Sequence, residues 1–462
     1  MIKNKIKRNN FLKSKRLYQG LSWALTGLLL FCSHLVFADE FNVSGYVKSY
    51  ALLEKSIDIM VNNNINGANS YNVDSINTVA NINNEKINSN VQSQNALRLM
   101  AAYLSKDYGN FELHYEIQPI YQHSNTSITT QLNDETKQEN KTNSTLAVAT
   151  NRYRVKDIDT VLAHSGQHVK ALQNLDRFNY QYNHQQGDLT LGRQVISFGS
   201  ARFINPSDIF IPFGIQTLNQ EYRVGIDAIR YQYYLNDVTM IDMGVVVGRD
   251  AKKANSAIFL RNKLSMNGSD IETIFIQLDN AWLAGAGVER ALGDFGFWFE
   301  TAYMNRQKTN NYWRTSIGAD YAVNNNIVLM LEYHYNGAGH HNPSHYNTND
   351  DNYNTDDNGS ANQESGVFLL GKNYLIPAIS WLVTPLISIN ANAFININDH
   401  STFINLSSEV SWSDNLYSDF GLYLSTGNDN LTLQTNITPP LNMASEFGAY
   451  PLSFYASLRY YF

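Results

Sequence analysis

The chain has almost no cysteine and no long apolar run beyond its N-terminal region. Its one cysteine among 462 residues is Cys32, which excludes a disulfide framework and thiol chemistry for the rest of the chain. After residue 38, no apolar stretch approaches the roughly 18 residues that a transmembrane helix needs. Acidic residues outnumber basic ones, 41 to 34, which argues against a nucleic-acid partner.

The N-terminal region has the composition of a secretory signal peptide. Residues 1–20 carry seven Lys or Arg and no acid, a mostly apolar stretch follows, and Val36-Phe37-Ala38 is a small-residue cleavage site. We therefore predict that residues 1–38 are removed and that residues 39–462 form a single domain. Without the seven positive charges, 27 basic and 41 acidic residues remain, a net charge of −14.

The last eleven residues, Leu452–Phe462, alternate between apolar and mixed polar side chains. One face carries Phe454, Ala456, Leu458, Tyr460 and Phe462, and the other carries Ser453, Tyr455, Ser457, Arg459 and Tyr461. A period of two residues predicts a strand with one lipid-facing and one interior side, as in an outer-membrane β-barrel. A terminal aromatic residue is typical of the signal that the barrel-assembly machinery reads. We assign that role to Leu458, Tyr460 and Phe462.

Short alternating stretches recur through the chain and predict an all-β, antiparallel transmembrane barrel. We predict eighteen strands, at 41–53, 95–105, 110–122, 173–185, 188–198, 225–235, 238–248, 255–263, 271–279, 281–291, 295–305, 311–322, 326–336, 367–383, 386–397, 402–412, 416–426 and 452–462. Sixteen strands is the alternative, because 255–263 and 271–279 are the weakest assignments. Short Gly/Asn/Asp turns and long polar inserts alternate along the chain, which predicts periplasmic turns and extracellular loops. Aromatic residues of these strands, including Tyr46, Tyr50, Trp298, Trp381 and Trp412, are predicted to form interfacial girdles.

One extracellular connection, residues 199–224, differs in composition from the other loops. It carries several large apolar side chains that would be unstable in water, so we predict that it folds into the barrel as a constriction. The candidate lining residues are Arg193, Arg202, Asp208, Glu221, Arg223, Asp227 and Arg230. These charges could line the passage or anchor the loop to the wall, and both interpretations stay open. Strict alternation would direct Arg193 at lipid, whereas a bulge at Gly192 would turn it inward.

The same stretch reads Gly192-Arg-Gln-x-x-Ser-Phe-Gly199, then Asn205-Pro-x-Asp208 and Pro212-Phe213. This pattern resembles porin-like outer-membrane barrels of Gram-negative bacteria, including the alginate-export type. The resemblance implies an eighteen-stranded barrel, and in the exporters an Arg-rich passage carries an acidic polysaccharide. The chain departs from that pattern, because the charges near its loop are mixed in sign. A plug-less barrel for siderophore uptake is a related alternative with the same size and loop layout.

Metal binding and catalysis have little support in the residues. His340, His341 and His345 lie near several aspartates, but their spacing matches neither an EF-hand nor a zinc protease. They are weak candidates for metal ligands, and a solvated loop is the expectation. The chain has no Gly-x-Ser-x-Gly element and no phosphate-binding glycine motif. We therefore predict no enzyme activity and no cofactor.

These features predict an integral protein of a Gram-negative outer membrane, in contact with lipid and lipopolysaccharide. We expect a porin-like channel for passive or facilitated diffusion of small hydrophilic solutes, with residues 199–224 as its constriction. The first alternative is a specific transporter, either for polysaccharide export or for TonB-independent siderophore uptake. The second is a surface receptor or adhesin with a closed lumen.

Overall fold

The computed structural model describes most of the chain after the predicted signal peptide. The described residues are 40–55, 59–62, 90–105, 108–122, 152–156, 161–165, 169–210, 222–307, 310–346, 369–428, 431–434, 441–448 and 450–462. Residues 1–38 lie outside these ranges, so the signal peptide and its cleavage stay a prediction. Within the ranges, no helix is long and apolar enough to cross a membrane. The helical turns described there are Arg249–Ala251, Lys253–Asn255 and Pro343–His345.

Eighteen antiparallel strands of the described residues pair edge to edge in one closed barrel. In chain order they are β1 Glu40–Glu54, β2 Asn90–Leu104, β3 Asn110–Gln122, β4 Val169–His184, β5 Gly187–Gln194, β6 Ile226–Asn236, β7 Thr239–Val246, β8 Ala257–Met266, β9 Ser269–Gln277, β10 Ala281–Leu292, β11 Phe295–Arg306, β12 Tyr312–Asn324, β13 Ile327–Asn336, β14 Asn373–Thr384, β15 Ile387–Asn396, β16 Thr402–Ser413, β17 Leu416–Thr426 and β18 Ser453–Tyr461. Each strand pairs with the next, and β18 pairs with β1 to close the ring. The prediction of eighteen strands is confirmed, and the alternative of sixteen is wrong.

The two ends of the barrel differ in their connections. At the turn end, tight hairpins join the strands, as at Asn267-Gly268, where φ is 54° and 74°. Positive φ at both central residues is what a type I′ turn requires, and it explains how the two weakest predicted strands, β8 and β9, pair. The long connections lie at the opposite end, the loop end. They contain the short strands Ile59–Asn62, Val161–Ser165, Leu431–Gln434 and Leu441–Met443.

Side chains along each strand alternate between an apolar outer face and a polar inner face. On β18, Leu458 and Tyr460 are exposed outside, whereas Ser457 and Arg459 are buried inside. Phe462, just after the strand, is also exposed. The side chains of the three terminal signal residues are therefore exposed outside the barrel, whereas their contact with lipid and their recognition by assembly machinery stay predictions. An outer face of exposed apolar side chains is the surface that lipid covers in a membrane barrel.

Three of the predicted girdle aromatics lie inside the barrel, which corrects the prediction for them. Tyr46, Tyr50 and Trp298 are buried. In the alternation they fall on the same side of their strands as the buried polar residues Lys48 and Glu300, and this side faces the barrel interior. Trp381 and Trp412 are exposed on the outer face, as predicted. The position of an aromatic residue in the alternation therefore decides between a girdle and an interior role.

The barrel closes where the chain terminus meets β1. The backbone N–H of Phe462 donates to the Gly45 carbonyl at 3.0 Å, and the Gly45 N–H donates back to the Phe462 carbonyl at 2.9 Å. A Cβ on Gly45 would lie 2.3 Å from the Arg98 carbonyl oxygen and 2.7 Å from the Phe462 ring. The seam therefore requires a residue without a side chain at this position.

Replacing Gly45 with valine should impair barrel closure. The added side chain must displace the β2 backbone or the Phe462 ring, and such overpacking costs about 1–3 kcal/mol. The measurement is the fraction of protein with the heat-modifiable gel mobility of a folded barrel. Val43→Ala, a lipid-facing change on the same strand, is the control. Equal folded fractions for Gly45→Val and Val43→Ala would contradict the tight seam.

Candidate functional site

After β5 the chain leaves the wall and turns into the barrel. The inward segment, residues 195–210, buries Ile196, Phe198, Ile209 and Phe210 against inner-face side chains of the wall. The wall side of this cluster is built from Ile226, Ala228, Val246, Ala257, Phe259, Ile274, Ile276, Leu283, Ala302, Met304 and Tyr312. The predicted strand 188–198 is thus too long, because β5 ends at Gln194. Apolar packing on one side of the barrel explains why this segment lies inside.

Two buried carboxylates of the wall hold the backbone of the inward segment. Glu300 on β11 accepts hydrogen bonds from the backbone N–H groups of Ser200, Ala201 and Ser207 at 2.8, 3.1 and 2.8 Å. Glu332 on β13 accepts from those of Arg202, Phe203 and Ile204 at 3.1, 3.2 and 3.0 Å, and from Trp298 Nε1 at 2.8 Å. Charged acceptors make strong hydrogen bonds, and six backbone donors are satisfied by two side chains. The segment is therefore fixed to the wall, not merely collapsed onto it.

Small residues of the wall make room for this contact. A Cβ on Gly285 would lie 2.4 Å from Ser207 Oγ, and one on Gly287 would lie 2.5 Å from Ser200 Oγ. Both glycines are on the inner face of β10. Close approach of the segment to the barrel therefore depends on the absence of side chains at two positions of one strand.

Arg202 is the most exposed of the predicted lining residues that the structure describes. Its side chain is 45% exposed, lies 3.0 Å from Glu289 of β10 and covers the Trp298 ring at 5.3 Å from the ring centre. Its backbone N–H is held by Glu332, so the guanidinium projects from a fixed point. Arg202 and Glu289 are charged groups of opposite sign presented to the open part of the barrel.

The other predicted lining residues are more buried and make ion pairs. Arg223 pairs with Asp208 and so joins the two described ends of the connection, residues 195–210 and 222–225. Arg230 pairs with Asp242 of β7 at 2.7 Å, and Arg261 and Glu272 continue this row across β8 and β9. Glu221 lies outside the described residues.

Arg193 and Asp227 form a pair on the other face of the wall. Leu191 opposes Ile229 and Arg193 opposes Asp227 in the β5–β6 register, without a shift between them. The two pairs therefore share the outer face. A bulge at Gly192, the alternative that would have turned Arg193 inward, is absent from this register, although Gly192 has a φ of 109°. The ion pair measures 2.8 Å, and Arg193 is 6% exposed because its other N–H groups donate to the carbonyls of Leu175 and Lys156. These contacts attach residues 155 and 156 to the outer face of the wall.

A cluster of cations inside the barrel was absent from the prediction. Arg98 on β2 pairs with Glu116 at 2.9 Å and with Asp176 at 2.8 Å. Arg177 and Arg154 approach the same Asp176 carboxylate at 2.9 and 3.6 Å. Lys48 on β1 is buried over the rings of Tyr46, Tyr222 and Tyr461. This group of four cations and two acids lies on β1–β4 and on the segment 152–156, whereas Glu289, Glu300 and Glu332 lie on β10–β13.

A second stretch of chain enters the barrel before β18. Phe447 is fully buried in an apolar cluster with Tyr374, Phe394, Phe403 and other inner-face residues of β1 and β14–β18. Phe203 and Ile204 of the inward segment pack against the same cluster, with the Phe203 and Phe394 ring centres 6.3 Å apart. The two entering stretches therefore meet on one apolar cluster and narrow the interior together.

Glu446 holds this second stretch through its buried carboxylate. It accepts hydrogen bonds from the backbone N–H of Leu370 and from Asn396 Nδ2, both at 2.8 Å, and from the Tyr374 hydroxyl at 2.5 Å. Burial, with a contribution from nearby Asp399, raises the pKa of Glu446 to about 7. The folded protein therefore keeps a proton here at pH values where an ordinary carboxyl, near 4.5, has lost it.

The stability contribution of Glu446 should fall as pH rises through its folded pKa. Its folded pKa lies above the unfolded value, so the folded state binds the extra proton between about pH 4.5 and about pH 7, and higher pH favours unfolding by roughly 3 kcal/mol. Glu446→Gln has no carboxyl to titrate at this position, so this pH-dependent loss of folding stability should disappear. Thermal melting in detergent near pH 5 and near pH 8 checks the effect, with Asp279→Asn as a matched control. An identical pH dependence of melting in wild type and Glu446→Gln would refute it.

The histidines do not assemble a metal site in the described part of the chain. His340 and His345 meet edge to face with ring centres 5.9 Å apart, while Asn398 Nδ2 donates to His341 Nδ1 at 2.7 Å. Across the described ranges, no three His, Cys, Asp or Glu side chains come together with a geometry that could hold a metal ion. The neighbouring aspartates of the predicted cluster, at 350–357, lie outside those ranges.

The barrel is similar in fold to solved structures of outer-membrane porins of the Occ/OprD group. Pseudomonas aeruginosa OccK5 (OpdH) matches with a TM-score of 0.52 at 7% identity, over 92% of this chain and 98% of that one. Acinetobacter baumannii OccAB2 gives 0.51 at 7% identity over 92% and 98%, and P. aeruginosa OprD gives 0.50 at 8% over 92% and 96%. At such identities the likeness concerns the fold alone. No protein-family model matches the chain, and no curated protein matches its sequence.

Proposed function

We propose that this protein is an outer-membrane channel for passive or facilitated diffusion of small hydrophilic solutes. The observation that carries the proposal is the fixed inward segment, which presents the half-exposed Arg202 and Glu289 to a barrel interior lined by charged residues. An eighteen-stranded barrel is about 35 Å across, too wide for side chains alone to fill. A segment anchored on one wall narrows such a barrel without needing to close it.

The proposal places the turn end in the periplasm and the loop end outside the cell. Both chain termini would then be periplasmic, as an even strand number requires. Arg202, Asp208, Arg223 and Arg230 are retained as lining residues, with Glu289 added. Arg193 and Asp227 are reassigned to anchoring, because their contacts join the outer face to residues 152–156.

The test is the single-channel conductance of residues 39–462 in a planar bilayer under a salt gradient. A steady open conductance with a defined ion selectivity is the expected result. Block of that current by a particular solute would identify a specific transporter, such as one for an anionic saccharide or a siderophore. A folded barrel without any conductance would overturn the channel and favour a receptor or adhesin.

A further inference from the structure

A short stretch of chain, the crossing segment (residues 152–156), passes from the interior to the outer face at the loop end. Tyr153 is buried against Phe210, with ring centres 4.9 Å apart. Arg154 donates through Nε to the Gly225 carbonyl at 2.8 Å and is also buried. The next two side chains, Val155 and Lys156, are exposed. The segment therefore buries its first half and presents its second half to the surroundings.

The exposed half lies directly beyond the apolar belt. The Val155 N–H donates to Asp227 Oδ2 at 2.8 Å, and Arg193 Nη2 donates to the Lys156 carbonyl at 3.1 Å. On the outer face, Arg193 and Asp227 form the next cross-strand pair after Leu191 and Ile229, whose side chains are exposed. Lys156 is thus placed one step past lipid-facing side chains, where a membrane barrel meets lipid headgroups.

Backbone hydrogen bonds hold the crossing segment beside the 3-10 turns that follow β7, and these turns carry further cationic residues. The Arg249 N–H donates to the Arg152 carbonyl at 3.0 Å, and the Asp250 N–H donates to the Val155 carbonyl at 2.9 Å. Lys252 and Lys253 follow in the same turns, with side chains 67% and 85% exposed. Arg152, Lys156, Arg249, Lys252 and Lys253 together form the rim patch.

The charge of the rim patch is opposite to that of the chain as a whole. Asp250 and Asp279 lie 3.5 and 3.0 Å from Lys252 and Lys253, so the described patch combines five cations with two acids. The whole chain has more acidic than basic residues. Cations concentrated at one part of an acidic protein's membrane rim favour an anionic partner at headgroup level.

We propose that the rim patch binds the phosphate groups of a phosphorylated glycolipid in the outer leaflet. Lysine and arginine side chains pair strongly with phosphate, and the apolar belt beside them supports the acyl chains of the same lipid. A lipid satisfies both features at once, whereas a free phosphate would use only the cations. The inference rests on the proposed outer-membrane location of the barrel.

The experiment is a binding titration of detergent-solubilised residues 39–462 with bisphosphorylated lipid A. Lys156→Gln/Lys252→Gln/Lys253→Gln should weaken binding on the order of tenfold or more. The matched control, Lys55→Gln/Lys263→Gln/Lys372→Gln, removes the same charge elsewhere and should bind as wild type does. Dephosphorylated lipid A should bind wild type at least about tenfold more weakly than the bisphosphorylated form.

Three results would overturn the proposal. Equal weakening in the patch and control variants would show a general charge effect, and equal binding of dephosphorylated lipid A would show that phosphate is not recognised. Displacement of lipid A by equimolar inorganic phosphate would assign the patch to free phosphate instead of lipid. The titration needs no open channel, so a silent barrel that binds lipid A contradicts the proposed conductance alone.

Discussion

Replacing Glu300 with alanine should raise the single-channel conductance about twofold or more, because the inward segment loses a main attachment to the wall. The N–H groups of Ser200, Ala201 and Ser207 would lose their common acceptor. Each buried donor without a partner costs about 1–3 kcal/mol, so the docked position should be destabilised by roughly 3 kcal/mol or more. The segment would then spend time away from the wall, and the recorded current should become larger and noisier.

The control for this variant is Glu409→Ala. Glu409 is also an inner-face carboxylate, but its ion pair is with Arg459 of β18, which does not belong to the inward segment. It therefore removes one interior negative charge without releasing the segment. A conductance rise in Glu300→Ala alone supports the anchoring role. Wild-type conductance in Glu300→Ala would mean that the apolar packing of Phe198 and Phe210 suffices to hold the segment.

The second large effect is expected from charge reversal at the narrowed part of the barrel. Arg202→Glu combined with Arg223→Glu replaces two cations by two anions and should raise the cation-to-anion permeability ratio at least about threefold. Most of the change in permeability ratio should come from Arg202, since its guanidinium is the more exposed of the two. Reversal potentials under a salt gradient measure the change.

Neutral and outer-face variants separate the electrostatic effect from a structural one. Arg202→Gln/Arg223→Gln should give an intermediate shift, because it removes two charges and adds none. Arg193→Gln should leave the reversal potential unchanged, since its ion pair with Asp227 lies on the outer face. Equal reversal potentials in wild type and the Glu double variant would leave Arg202 and Arg223 as anchors only.

Alternation of apolar and polar residues was enough to predict the barrel, and composition was enough to predict the inward segment. A strand with lipid on one side and water on the other must carry its pattern in its own residues. The apolar residues Phe203, Ile209 and Phe210 likewise signal burial wherever their loop happens to fold. Both the alternation and the apolar composition are carried by neighbouring residues, so they can be recognised in the sequence without knowing the fold.

The features that the sequence did not reveal depend on contacts between distant parts of the chain. Glu300 and Glu332 sit at inner-face positions of their strands and could have been marked as interior, but their partners are backbone groups of another loop. Glu446 lies in a polar-looking stretch whose burial depends on strands β14–β18. Arg193 shows the same limit: strict alternation pointed to the outer face, yet we counted it among the lining residues, because only the crossing segment explains how the charge is tolerated there.

The attachment of the inward segment also sets an order for barrel formation. Its carboxylate acceptors come 93 to 130 residues later in the chain than the backbone groups they hold. The segment therefore cannot be fixed until β11 and β13 have joined the growing sheet. The connection leaves β5 and rejoins β6 at the loop end, which stays open when β18 meets β1. Fixing the segment therefore requires β11 and β13 in the sheet, and does not require an open ring. Variants that lose these acceptors should consequently still close the ring through β18 and β1, with the inward segment undocked.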